Sequence, residues 1–290
     1  EMARRNASYG FPNMLFAFRY IPMCLNGEEH KAERRRIAEY LAARKEAIAA
    51  AAPHIIERWF GTLGERTEIE LMSEAIEPMV KDVLAVVNDT DEAGRALIRN
   101  VSAVFDRMMG PKKRRHLDNE LASIRALIRK SLGPGASEHD EGLRLALFVL
   151  GNDALGGSTG ESLHRLFAAN RGRRLSEIAY PAVLPATSVP FVERIVAQDF
   201  DYQGIGLRQG ERVRIMLQSL QYSADNGDRL KMFGSGIHAC LGRQLSLDIW
   251  SRLTKLLSNI DKRVDVIDYR LRDYDYVFTY PSRLSISLSQ

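Results

Sequence analysis

A mainly α-helical chain with a small β region is what the sequence predicts, and three observations predict it. Between residues 28 and 132, apolar residues recur at helical spacing in stretches separated by Pro and Gly. The run Glu138 to Leu155 reads as a further helix that starts charged and turns apolar. From Glu193, and again from Val264 to Gln290, β-branched and polar residues alternate between turn residues, as strands do.

Taken in order, Met2 to Ile21 is an aromatic-rich entry segment without clear periodicity, and Asn26-Gly27 is a turn. Glu28 to Ala51, rich in Ala, Arg, Glu and Leu with acidic residues first, predicts a long helix. Helical patterning continues over His54 to Phe60, Ile69 to Asn88, Asp91 to Met109 and Asp118 to Leu132. Breaks are expected at Pro53, Gly64, Gly110-Pro111 and Gly133-Pro134-Gly135. Glu193 to Leu217 predicts a small β-meander, Asp225 to Asp228 a tight turn, and Leu241 to Ile260 an amphipathic helix. Val264 to Gln290 predicts strands with a turn at Pro281-Ser282.

At 290 residues the chain can bury a sizeable core as one domain, 1–290, and no repeat or low-complexity linker divides it. No apolar run is long enough to span a bilayer, so no membrane is expected. No secretory signal is apparent, because Leu15 to Cys24 is short and interrupted by Arg19 and Pro22. The two cysteines, Cys24 and Cys240, give no disulfide framework, and a reducing cytoplasm suits a free thiolate. The net charge of +4 arises from clusters such as Arg34 to Arg36, Lys112 to Arg115 and Arg171 to Arg174. No zinc spacing or single-strand-binding signature accompanies them, so no nucleic acid is expected.

The chemistry concentrates in Phe233-Gly-Ser-Gly-Ile-His-Ala-Cys240-Leu-Gly242. A glycine-rich turn presents one cysteine just before a helix, where backbone N–H groups and the helix dipole favour a thiolate. Glycines there let the backbone approach a flat ligand. Two other features draw attention. His30 and Arg34 are four residues apart and share one helix face, a pair suited to a carboxylate. Asp153 is a carboxylate embedded in an apolar helix beside Gly151, and burying it without a partner or a purpose is costly.

The cysteine loop resembles, position for position, the haem-ligand loop F-x-x-G-x-x-x-C-x-G of the cytochrome P-450 family. The resemblance implies a P-450-like fold, reduced in size, with haem b (iron protoporphyrin IX) and Cys240 as the axial metal ligand. Phe233 would shield the sulfur, Gly236 and Gly242 would shape the loop around the cofactor, and His238 would help neutralise the haem propionates. Asn26 to Arg35 resembles the family's C-helix entry, which makes His30 and Arg34 propionate ligands. Glu193 to Val213 resembles the strand region in which Arg194 reaches a propionate. Gly151 and Asp153 resemble the distal helix pattern [A/G]-G-x-[D/E]-T, but Ala154 stands where the family has threonine. The bracing E-x-x-R pattern is matched only by Glu177 with Tyr180. Either that brace is absent or Glu177 finds another partner, such as the Tyr180 hydroxyl.

The resemblance starts at Asn26, so the family's earlier helices and first sheet strands are missing. The chain begins at Glu1 rather than Met, which leaves room for an upstream piece. A chain without that layer has a surface to cover, and a homodimer would cover it. The implied activity is a haem-thiolate oxidoreductase, a monooxygenase or peroxide-using oxidase acting on a small organic substrate in specialised metabolism. A ferredoxin-type acidic redox partner suits the positive surface. Two other classes stay open: a non-oxygenative haem-thiolate enzyme (dehydration, isomerisation, N–N or N–O rearrangement), favoured by Ala154, and a haem-binding sensor or non-catalytic protein, favoured by the broken E-x-x-R.

Overall fold

The computed structural model describes residues 10–96, 101–106, 109–272 and 278–290. The entry segment contains a helix, α1 (Pro12–Tyr20), where the sequence showed no period. Met14, Phe16, Ala17, Phe18 and Tyr20 are all buried, so apolar residues lie on most of its faces and no polar stripe marks it. Its orphan N-terminal donors are satisfied from far along the chain, since the Asp118 carboxylate accepts from Asn13 N and Met14 N at 2.9 Å each.

The next helix, α2, spans Gly27–Phe60 and continues through Pro53 rather than breaking there. Proline removes one backbone donor, the partner of the Ala49 carbonyl, and both residues lie on the exposed face, where water replaces that bond. The stretch expected to be helical from Ile69 opens instead with strand β1 (Glu68–Glu70), followed by a wide helical turn over Met72–Ile76 and α3 (Glu77–Val87). Tertiary pairing decides this, because β1 adds to the C-terminal sheet through Ile69 opposite Ile286. Within Asp91 to Met109 the described residues form only α4 (Glu92–Ala96) and a tight turn over Ser102–Phe105. The remainder of that expected helix, 97–100 and 107–108, lies outside the described residues.

Helix α5 (Pro111–Leu132) starts earlier than Asp118, with Pro at its first position, where the missing N–H costs nothing. Helix α6 (Glu138–Ala169) is capped by a reciprocal Ser137/Asp140 box and runs well beyond Leu155. It is the axis of the fold, touching α1, α3, α5 and the C-terminal strands. Three glycines permit the close approaches: a Cβ on Gly142 would meet Tyr20, one on Gly157 would lie 2.7 Å from the Ser188 Cβ, and one on Gly160 would meet Met72.

The expected meander is four short strands: β2 (Val192–Ile195), β3 (Phe200–Tyr202), β4 (Ile205–Leu207) and β5 (Arg212–Ile215). β2 pairs antiparallel with β5 and encloses the β3–β4 hairpin. Asp225 caps a five-residue helix, α7 (Asn226–Leu230), where a simple turn was expected. Helix α8 (Arg243–Leu257) buries Ile249, Trp250, Leu253 and Leu257, and the Trp250 indole donates to the Pro181 carbonyl at 2.8 Å. Strands β6 (Arg263–Leu271) and β7 (Pro281–Ser289) close a sheet of order β1-β7-β6. Pro281 therefore begins a strand instead of turning between two.

Among the described residues no helix is long and apolar enough to cross a membrane.

Candidate functional site

The loop before α8 folds as its glycines dictate. Gly234 and Gly236 take φ of 74° and 62°, values that side chains rarely adopt. The Cys240 amide donates to the Phe233 carbonyl at 2.7 Å, closing the loop, and Phe233 packs against the core. Amides of Gly242 and Arg243, at the start of α8, donate toward the Cys240 sulfur. A Cβ on Gly242 would lie 3.8 Å from that sulfur. Burial pushes the Cys240 thiol up, while those two amides and the guanidiniums of Arg34 and Arg243 pull it down. Cys24 has no such support, and burial alone pushes its thiol up to about 12. Burial thus raises both free thiols, and only Cys240 has amides and guanidiniums that oppose the rise.

Helix α2 lies against this loop and against α6. The Arg34 guanidinium donates to the carbonyl of Ala239, the residue before the cysteine, at 2.6 Å. The rings of His30 and His238 lie with centroids 4.3 Å apart. His30 is 1% exposed, yet neither of its ring nitrogens has a hydrogen-bond partner. Burial first, and then Arg34, depress the His30 pKa. His238 is depressed by burial, and then by His30, Arg194 and Arg34, which places the exposed Arg194 of β2 within electrostatic reach of the loop. Three elements thus converge four basic side chains beside one cysteine. Next to them an open groove of about 320 Å³ is lined by His30, Lys31, Arg34, Arg35 and Ala38 of α2 and by Ile237 and Leu241 of the loop.

Helix α6 carries the other sequence-derived candidates. No residue from Glu141 to Phe167 is fully exposed, but Leu147, Leu150, Gly151, Ala154 and Ser158 are half-buried. These positions form one half-buried, mostly apolar stripe, which Arg165 continues, while Asn152, His164 and Leu166 are half-buried on other faces. Gly151 and Ala154 lie on it, and a Cβ on Gly151 would lie 2.6 Å from Leu84 of α3. Asp153 points elsewhere. It is 1% exposed, accepts from the Ser102 hydroxyl, and faces the Arg272 guanidinium at 3.6 Å. Arg272 in turn lies over the Tyr280 ring at 3.9 Å.

The E-x-x-R question resolves locally. The Tyr180 hydroxyl donates to the Leu175 carbonyl at 3.2 Å, and the Glu177 carboxylate accepts from the Arg174 amide at 3.4 Å. Tyr180 does not stand in for an arginine partner of Glu177. Ser102 and Arg272 were not legible as site residues, because only the folding of distant segments onto α6 brings them there.

No family model and no curated protein matches the sequence. Solved structures do match. The thermophilic cytochrome P450 from Sulfolobus tokodaii superposes with a TM-score of 0.76 at 15% identity, over 94% of this chain and 83% of its own. The bacillaene polyketide synthase cytochrome P450 PksS of Bacillus subtilis 168 gives 0.75 at 17% identity, over 96% and 83%. P450BioI, solved in complex with an acyl carrier protein ligated to hexadec-9Z-enoic acid, gives 0.73 at 17% identity, over 96% and 84%. Identities this low speak to backbone arrangement alone, and what they establish is that this chain has a cytochrome P450-like fold.

Proposed function

We propose that the chain is a haem-thiolate protein, a single domain with haem b ligated by Cys240, and that it is an oxidoreductase acting on a small organic substrate. The observation that carries this reading is His30: a buried imidazole with two unpartnered nitrogens, beside Arg34, His238 and Arg194, calls for an anionic acceptor. Haem propionates have that chemistry. Among the described residues no group of three His, Cys, Asp or Glu could hold a bare metal ion, so a metal at Cys240 needs its remaining ligands from elsewhere, as a macrocycle provides. The residues present fit the group.

When bound, haem under a thiolate ligand supplies electron-rich iron that favours O–O cleavage. The protein's contributions are separable. Cys240 gives up its proton to become the ligand, and the Gly242 and Arg243 amides hold the sulfur's charge. Phe233 covers the loop on the core side. His30 and His238 donate ring N–H while Arg34 and Arg194 neutralise charge. Gly151 lets Leu84 of α3 close on α6, and Ala154 keeps the half-buried stripe beside it small. Asp153, fixed by Ser102 and Arg272, holds a carboxylate one residue from that stripe and is the candidate for proton handling. Lys31 and Arg35, beside the exposed Ile237, offer a basic and apolar rim to an acidic ferredoxin-type donor. A cysteine kept free of disulfides suits a reducing compartment such as the cytoplasm.

A redox-neutral haem-thiolate reaction, such as dehydration or rearrangement, is the second reading. Ala154 favours it, because the open stripe carries no hydroxyl at that position and the Asp153 carboxylate is turned aside to Arg272.

The test is the pH dependence of haem uptake. The free thiol is raised above its ordinary value, so it is protonated at pH 7 and ligation must release one proton. Between pH 7 and pH 9 the apparent haem affinity, from titration with haemin, is expected to rise by up to about tenfold per pH unit. A flat profile would count against ligation by Cys240.

A further inference from the structure

Away from the cysteine loop, the C-terminal half of α6 packs on β6 and brings three titratable side chains together. Glu161 and His164 are three residues apart and share one helix face, and Tyr269 of β6 reaches both. The Tyr269 hydroxyl donates to the Glu161 carboxylate. The Tyr269 ring lies flat on the His164 imidazole, with centroids 3.5 Å apart and planes 2° from parallel. Glu161 is buried, which is costly for a carboxylate without a partner, and here the hydrogen-bond partner is a phenol. Burial pushes the Glu161 carboxyl up, which makes it a stronger proton acceptor than an exposed carboxylate. Burial first, and then Arg165, depress the His164 pKa, so the ring stacked on Tyr269 is uncharged at pH 7.

A phenol that loses an electron must shed its proton, and that is easiest where a base sits within hydrogen-bond reach. Other tyrosines are placed less well for this. Tyr40 and Tyr180 donate to backbone carbonyls, which do not take up a proton. Tyr280 donates to Glu77, but the Arg272 guanidinium over its ring opposes removal of an electron. Tyr20 donates to Glu138, whose side chain is 62% exposed, so water competes for that carboxylate. We infer that Tyr269 is a redox-active tyrosine, which gives one electron to a one-electron oxidant and its phenolic proton to Glu161. The O–H bond breaks, the electron leaves for the oxidant, the proton stays on a Glu161 oxygen, and a neutral phenoxyl radical remains against His164. A one-electron reductant reverses the step, with Glu161 returning the proton. In the working protein the oxidant is a peroxide-activated haem, a source that rests on the haem-thiolate reading above. The tyrosine assignment itself does not.

The full chain, without haemin, is oxidised with photogenerated tris(bipyridine)ruthenium(III), and radicals are read by freeze-quench electron paramagnetic resonance. Wild type is expected to give a tyrosyl signal that Tyr269→Phe largely removes and Tyr280→Phe keeps. Glu161→Gln retains the tyrosine and an acceptor oxygen but takes up no proton. It is expected to slow radical formation by about tenfold or more, the worth of a positioned base. A signal undiminished in Tyr269→Phe overturns the inference, as does a Glu161→Gln rate equal to wild type. Haemin-loaded protein treated with hydrogen peroxide is expected to give the same Tyr269-dependent signal. A signal with ruthenium but none with peroxide would defeat the haem as source and leave the tyrosine assignment standing.

Discussion

Cys240→Ser is expected to weaken haem binding by roughly 100-fold or more while leaving the fold intact. The magnitude follows from the ligand's role: losing partners around a metal ligand already costs about 10–100-fold, and a hydroxyl at this position cannot supply a soft, anionic donor. The intact fold follows from the site's position. The loop is closed by the backbone hydrogen bond from Cys240 N to Phe233 O and by the Arg34 guanidinium donating to the Ala239 carbonyl, which the substitution leaves untouched. Haemin titration paired with a denaturant midpoint checks both halves. Undiminished haem affinity would show that the sulfur is not the ligand. A collapsed fold would show that the loop depends on the cysteine for structure.

Asp153→Ala is expected to lower unfolding stability by about 2–4 kcal/mol. Removing one member of a buried ion pair costs about 3–5 kcal/mol, and the Arg272 side chain, 27% exposed, recovers part of that through water. The same substitution removes the acceptor of the buried Ser102 hydroxyl. Asp153→Asn keeps the shape and one acceptor oxygen, and is expected to cost about half as much. Urea midpoints of the three proteins measure the series. If both variants fall within about 0.5 kcal/mol of wild type, the Asp153 network is not what fixes α6 against the C-terminal segment. Turnover and its pH profile in Asp153→Asn, once a substrate is in hand, report separately on proton handling.

How far the sequence carried can be seen residue by residue. The Cys240 loop was fully legible, because its glycines, its closing hydrogen bond and the helix behind it are all local. The His30–Arg34 pair was legible as one face of a helix, and the structure sets that face on the loop through Arg34 and His238. Asp153 stood out as a carboxylate in an apolar run, but its partners did not, since Ser102 and Arg272 meet it only when three distant segments pack. Helix α1 escaped notice because burial on most faces erases the 3.6-residue period, and its cap comes from Asp118. Pro53 misled for the opposite reason. A local breaker on a solvent face loses one bond that water replaces, and the tertiary packing of α2 carries it through. Strand β1 was read as helix because its three residues carry too little pattern, and the register against β7 decides the matter. The Glu161–Tyr269 contact belongs to no motif and arises only where β6 folds onto α6.

The central claim is that the Cys240 sulfur binds haem iron. The reduced, carbon-monoxide-bound absorption spectrum of the haemin-reconstituted protein tests it most directly. A strongly red-shifted Soret band, present in wild type and absent in Cys240→Ser, is the expected result. A protein that stays colourless after haemin is added, or whose Soret band is the same in both, contradicts it.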